Sequence, residues 1–146
     1  MSKLLVSTVC FLILVIVAGC NHEENRNADD EVKLENNSWK LLRYGLVEKE
    51  LKDFPANKLS TLYFNAETKL VKGVVLCNSF ESMYTTTESS ISIVSVAPTE
   101  LFCGDDDEGI ASLIVTSLSS INRYEIDGNR LKIYSVESRV LQYGKE

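Results

Sequence analysis

The densest run of ligand-type side chains is Gly104-Asp105-Asp106-Asp107-Glu108-Gly109, four carboxylates in a row between two glycines. Hard cations such as calcium take carboxylate oxygens. Cation binding or carboxylate-based hydrolysis would therefore fall to Asp105, Asp106, Asp107 and Glu108. Their unbroken spacing lacks the alternation of an EF-hand loop, and acids ahead of an amphipathic segment suit a helix start, where free N–H groups and the helix dipole favour negative charge. The helix-start reading takes precedence, and no metal is assigned. Nucleophilic catalysis has less support still. His22 is the only histidine, which excludes a multi-histidine zinc site and leaves Ser112, Ser117, Ser119 and Ser120 without a base. Asn78 reads as a turn residue that satisfies local backbone groups. No catalytic residue and no cofactor follow, so the chain reads as a binding or accessory protein, with an envelope hydrolase or cation binder as the alternative.

Cysteine is the second chemistry-bearing type, with Cys10, Cys20, Cys77 and Cys103. The opening MSKLLVSTVCFLILVIVAGC has a cationic Lys3, an apolar stretch from Leu4 to Val17 and small residues before Cys20, the layout of a secretory signal peptide over 1–19. The apolar stretch is shorter than the roughly 20 residues that span a bilayer. Val17-Ala18-Gly19-Cys20 resembles the lipobox of bacterial lipoproteins, which implies that Cys20 becomes the N-terminus and carries a diacylglyceryl group and acyl chains such as palmitate. Several acyl chains together anchor a protein stably. Asn21 rather than Asp follows Cys20, which points to the outer membrane facing the periplasm, and Glu23 and Glu24 resemble the tethers of surface-exported lipoproteins. Cys10 would leave with the signal peptide and Cys20 would be consumed by lipid. A single Cys77–Cys103 disulfide is then the simplest reading in an exported chain, with two separately buried thiols as the alternative.

The chain has 15 Lys and Arg against 21 Asp and Glu, net −6. Loss of Lys3 leaves 14 against 21, net −7. An acidic surface repels phosphate backbones and anionic headgroups, so nucleic acid is excluded as a partner and the lipid must hold the chain at the membrane.

Between the lipid site and the core, 20–37 is rich in Asn, Asp and Glu and reads as a flexible tether. A single domain is predicted over 38–146. Alternation places strands at 59–64, 70–77, 79–87 and 91–96, the last with apolar residues on both faces and ended by Pro98. Ile110, Leu113, Ile114, Leu118 and Ile121 recur at offsets of three and four, predicting a helix over 107–121. Period two returns at 124–126, 131–134 and 140–143, with a hairpin turn at Asp127-Gly128-Asn129. Trp39, the only tryptophan, reads as a core anchor. Tyr63, Tyr84, Tyr124, Tyr134 and Tyr143 fall on strands and read mainly as half-buried sheet residues, some of which could line a groove. The fold class is α+β: a small antiparallel β-barrel or strongly curled sheet closed by one helix.

The chain after the tether resembles the META domain, or HslJ-like, family of envelope lipoproteins and heat-shock-associated proteins. The matching pieces are Trp39-Lys40-Leu41, Leu62-Tyr63-Phe64, Cys77-Asn78-Ser79-Phe80-Glu81-Ser82-Met83-Tyr84, Thr99-Glu100-Leu101-Phe102-Cys103 and Tyr124 to Ile133. Three departures stand out, one being that the glycine the family often carries between its Phe or Tyr and the next Tyr is absent from Glu81-Ser82-Met83. The family's glycine before Cys-Asn is Leu76 here, and its methionine in the second cysteine motif is Leu101, a volume-conserving core swap. The resemblance implies a β-rich envelope module that supports stress tolerance or assembly by binding another envelope protein or an apolar ligand.

Overall fold

A computed structural model describes residues 32–47, 49–101, 103 and 108–146. The strands follow the alternation of the sequence. β1 (Ser38–Leu46) turns Trp39 and Leu41 inward between exposed Ser38, Lys40 and Leu42, and β3 (Ser60–Phe64) buries Leu62 and Phe64. β4 (Leu70–Val75) buries Val71 and Val75, and β5 (Asn78–Thr86) buries Phe80, Ser82 and Tyr84. Inward-facing Gly73 of β4 lies opposite Phe80. A Cβ there would stand 2.2 Å from the Phe80 ring, so the missing side chain is the space the ring occupies. β6 (Ile91–Ile93), β7 (Ile121–Asp127), β8 (Arg130–Ser135) and β9 (Arg139–Lys145) complete the path, and the short β2 (Lys52–Asp53) lies off it against β1.

The strands run in the order β6-β5-β4-β3-β1-β9-β8-β7, every pairing antiparallel. The two outermost strands meet again. Ser90 bridges Arg123, and the Tyr124 N–H donates to the Ser89 carbonyl at 2.9 Å. The result is a barrel closed everywhere except along one short seam, as the sequence pattern predicts.

Each end of the barrel has its own cover. α1 (Glu108–Ser119) touches β4 on one side of the wall and the neighbouring β8 and β9 on the other, so it lies across one opening. Its stripe is buried deepest at Ile114 and Leu118, less so at Ile110 and Leu113. Ser117, also buried, satisfies its hydroxyl by donating to the Leu113 carbonyl at 2.7 Å. Ile121 belongs to β7 rather than to the helix. The opposite opening is covered by residues 32–37, with Leu34 buried beneath the strand ends. Residues 32–37, assigned to the tether by the sequence pattern, are therefore part of the folded domain.

The disulfide is present at the helix end. Cys77, in the turn between β4 and β5, is bonded to Cys103 with 5.6 Å between Cα atoms. The bridge closes a separation of 26 residues, for which chain-entropy bookkeeping gives about 3.5 kcal/mol less any strain. Beside it Asn78 reaches much farther than a local turn residue would. Its Oδ1 accepts from the Leu101 N–H at 2.7 Å and the Thr99 hydroxyl at 3.0 Å, and its Nδ2 donates to the Leu101 carbonyl at 3.0 Å. Leu101 is held through its backbone while its side chain is 63% exposed, so the expected core swap at this position is corrected. Leu76, where the family pattern has glycine, adopts φ 60°. The left-handed bend is thus kept by a residue that resists it, and burial of the Leu76 side chain offsets the strain.

A second correction concerns 91–96. Regular pairing ends at Ile93, and on the second face Val94 is 74% exposed whereas Val96 is buried, so that face is covered only in part. Among the tyrosines, Tyr84 and Tyr143 are fully buried and Tyr63, Tyr124 and Tyr134 are half-buried.

Leu118→Ala is expected to lower unfolding free energy by about 2 to 5 kcal/mol, because it removes methyl groups from the packed helix face and leaves a cavity. Chemical denaturation of the variant checks this. An unchanged midpoint would mean that α1 does not cover the barrel.

Candidate functional site

The seam positions the candidate site. Beyond the Tyr124–Ser89 bond the turn between β5 and β6 bends away, while β7 continues to Asp127. Residues of β7 alternate in the direction of their backbone groups. Because Tyr124 points its N–H away from β8, Ile126 does so too, and among the described residues no strand pairs with Ile126 on that side. A groove of about 630 Å³ opens here. Val32, Lys33 and Leu34 form one side of it, the Thr86 and Glu88 region another, and Tyr124, Glu125 and Ile126 the third. The Tyr124 hydroxyl donates to the Thr87 carbonyl at 3.0 Å and ties two of these sides together.

Two buttressed carboxylates flank the groove. Glu35 Oε1 accepts from Lys69 Nζ and from the buried Tyr84 hydroxyl, both at 2.6 Å. The Lys69 bond, then the Tyr84 bond, hold the Glu35 carboxyl below the ordinary value of 4.5. Burial first, then this carboxylate, push the Tyr84 phenol up, so it stays a donor. On β7 Glu125 accepts from the Tyr134 hydroxyl at 2.7 Å and pairs with Arg123, whose guanidinium stacks 3.8 Å from the Tyr134 ring centroid. The Tyr134 bond leads in lowering the Glu125 carboxyl. Both carboxylates are therefore fixed anions at neutral pH. Glu88, on the exposed turn, and Lys33 add one further charge of each sign to the rim.

Of the residues singled out in the sequence, Cys77 and Cys103 are brought together, at the end of the barrel opposite the groove. Glu108 is the first residue of α1. Asp105, Asp106 and Asp107 lie outside the described residues, as do Cys20 and His22. Among the described residues no group of three or more His, Cys, Asp or Glu side chains is placed to hold a metal, and no helix is long and apolar enough to cross a membrane. Two core hydroxyls, Ser60 Oγ and Tyr143 Oη, have no well-formed hydrogen bond, and burial pushes the Tyr143 phenol up. The groove itself escaped sequence reading, since its sides come from residues distant in the chain and Val32–Glu35 were assigned to the tether.

Glu35→Gln should destabilise the chain at neutral pH by on the order of 1 kcal/mol, because the amide keeps the shape but loses the charge that Lys69 and Tyr84 engage. The sign follows from the lowered carboxyl. Its stabilisation is complete above the unfolded carboxylate range near 4.5 and fades as pH falls through the folded value. Unfolding midpoints of the two proteins should therefore differ at pH 7 and converge in acid. A gap that stays constant below pH 4 would contradict the assigned bond.

The family model described as META domain matches residues 32–146. Among solved structures, an NMR structure of a protein from Burkholderia xenovorans superposes with a TM-score of 0.66 at 16% identity, covering 77% of this chain and 83% of that one. A crystal structure of a duf4847 family protein from Bacteroides vulgatus gives 0.57 at 10% identity, covering 76% and 93%. At such identities these two share the fold alone. No curated protein matches. The family match starts at Val32, where the described structure starts, and it runs through both barrel covers and all nine strands to Glu146; the chain belongs to the META domain family.

Proposed function

We propose that this chain is a lipid-anchored envelope lipoprotein whose META domain serves as a non-catalytic binding or accessory module, of the stress-related kind. In this reading 1–19 is a signal peptide, Cys20 carries the lipid, and the residues before Val32 link anchor to barrel. The observation that carries it is the position of the groove. It lies at the end of the barrel where the chain enters at Val32. Eleven residues, 21–31, separate Cys20 from Val32, and a fully extended chain of that length spans at most about 40 Å. An anchor at Cys20 would hold the groove near the membrane surface, within reach of envelope proteins. An outer-membrane address facing the periplasm accords with Asn21 after Cys20.

Metabolic labelling with a fatty acid tests the anchor. The chain should take up label and partition with membranes, and Cys20→Ser should abolish both. Label retained by the variant would contradict the lipoprotein reading.

A further inference from the structure

We infer that the Cys77–Cys103 bridge is a thiol–disulfide exchange site for a dithiol, in which the incoming thiolate attacks Cys77 Sγ and Cys103 leaves as a thiolate. The inference goes beyond the binding-module reading and does not depend on it. The two sulfurs are unlike in access. Cys77 is exposed in its turn, whereas Cys103 is half-buried, and exchange proceeds at the sulfur that an external thiolate can reach. They are unlike in hydrogen bonding too. Cys103 Sγ accepts from the Cys77 backbone N–H at 3.3 Å and from Asn78 Nδ2 at 3.1 Å, and among the described residues no N–H donates to Cys77 Sγ. The Leu101 carbonyl oxygen lies near both sulfurs, 3.5 Å from Cys103 and 3.8 Å from Cys77, and opposes an anion at either. The N–H donors therefore decide, since they stabilise a thiolate and make it the better leaving group.

The reaction is two exchanges in sequence. A thiolate of the dithiol bonds to Cys77 Sγ as the Sγ–Sγ bond breaks, and the electron pair of that bond goes to Cys103 Sγ. The second thiol of the dithiol, deprotonated by solvent, then attacks its own partner sulfur and releases Cys77. The dithiol is oxidised to a disulfide by two electrons, and Cys77 and Cys103 gain those electrons and two protons. Breaking the bridge does not free the segment. The Asn78 side chain still binds Thr99 and Leu101, and the Thr99 N–H still donates to the Ser79 carbonyl at 3.0 Å. Cys103 is thus kept beside Cys77 and attacks the mixed disulfide in return. That return expels a monothiol, whereas the second thiol of a dithiol completes the reduction first.

The test is exchange on the folded full chain in detergent micelles with two probes, dithiothreitol and 2-mercaptoethanol, at equal thiol concentration. Acid stops the reaction, N-ethylmaleimide caps free thiols, and cleavage after Glu81, Glu88 and Glu100 separates the two cysteines for mass spectrometry. Mercaptoethanol caught in a mixed disulfide should sit on Cys77 with Cys103 capped, and dithiothreitol should reduce a many-fold larger fraction of the bridge. An adduct on Cys103, or on both cysteines alike, would overturn the inference. Equal reduction by the two probes, or a bridge that resists dithiothreitol until the chain is denatured, would overturn it as well. Asn78→Asp keeps the acceptor for Thr99 and Leu101 but puts an anion where Cys103 has a donor, and should slow reduction several-fold. A purely structural role for Asn78 predicts the opposite, a loosened bridge that is reduced faster, so an unchanged or faster rate would refute the leaving-group assignment. Adduct mapping needs no substitution and decides the matter even where the variant does not fold.

Discussion

The indole N–H of Trp39 donates to the carbonyl oxygen of Leu34 at 2.8 Å inside the core, and the order of one whole end of the barrel depends on that bond. Trp39 is the largest fully buried side chain, and a buried indole donor left without an acceptor costs about 1 to 3 kcal/mol. The acceptor comes from a segment with little hydrophobic drive of its own. Leu34 is its one buried residue, and Val32 packs at the edge. Once the bond places Leu34, Glu35 falls within reach of Tyr84 and Lys69, and the Asn36 N–H donates to the Phe64 carbonyl at 2.7 Å. The cover is thus built from polar bonds around a single apolar contact, whereas α1 covers the other end with an apolar stripe.

This asymmetry has a functional consequence. The helix end is further secured by the Cys77–Cys103 bridge and the Asn78 bonds to the Leu101 backbone. The N-terminal end has no covalent tie among the described residues, and the seam lies open beside it. The seam therefore combines an unpaired strand edge and a cavity in one place.

Most of the wall was legible in the sequence because alternation and the three-four spacing of the helix are local signals. Leu62 and Phe64, Ile114 and Leu118, and the Asp127-Gly128 turn sit where those periods put them. Elements set by distant partners were not legible. Leu34 is a lone apolar residue among polar ones, and its burial depends on Trp39 and on strand ends that lie far along the chain. Asn78 carries no mark in the sequence of the bonds it makes with residues 99 and 101. Val94 continues an apolar run and its N–H still donates to the Met83 carbonyl at 2.9 Å, yet its side chain is 74% exposed because regular pairing ends at Ile93. The groove is a gap between Val32–Glu35, the β5–β6 turn and β7, and no local pattern encodes a gap.

The central claim is that residues 32–37 are an integral cover of the barrel and form one side of the groove. Because Trp39 is the only tryptophan, its indole N–H gives one resolved NMR signal that reports directly on the bond to Leu34. Hydrogen exchange at that proton in the intact chain is the most direct measurement. Exchange only as slow as global unfolding permits is the expected result, whereas rapid exchange while the amides of β8 and β9 remain protected would show the cover detached and contradict the claim.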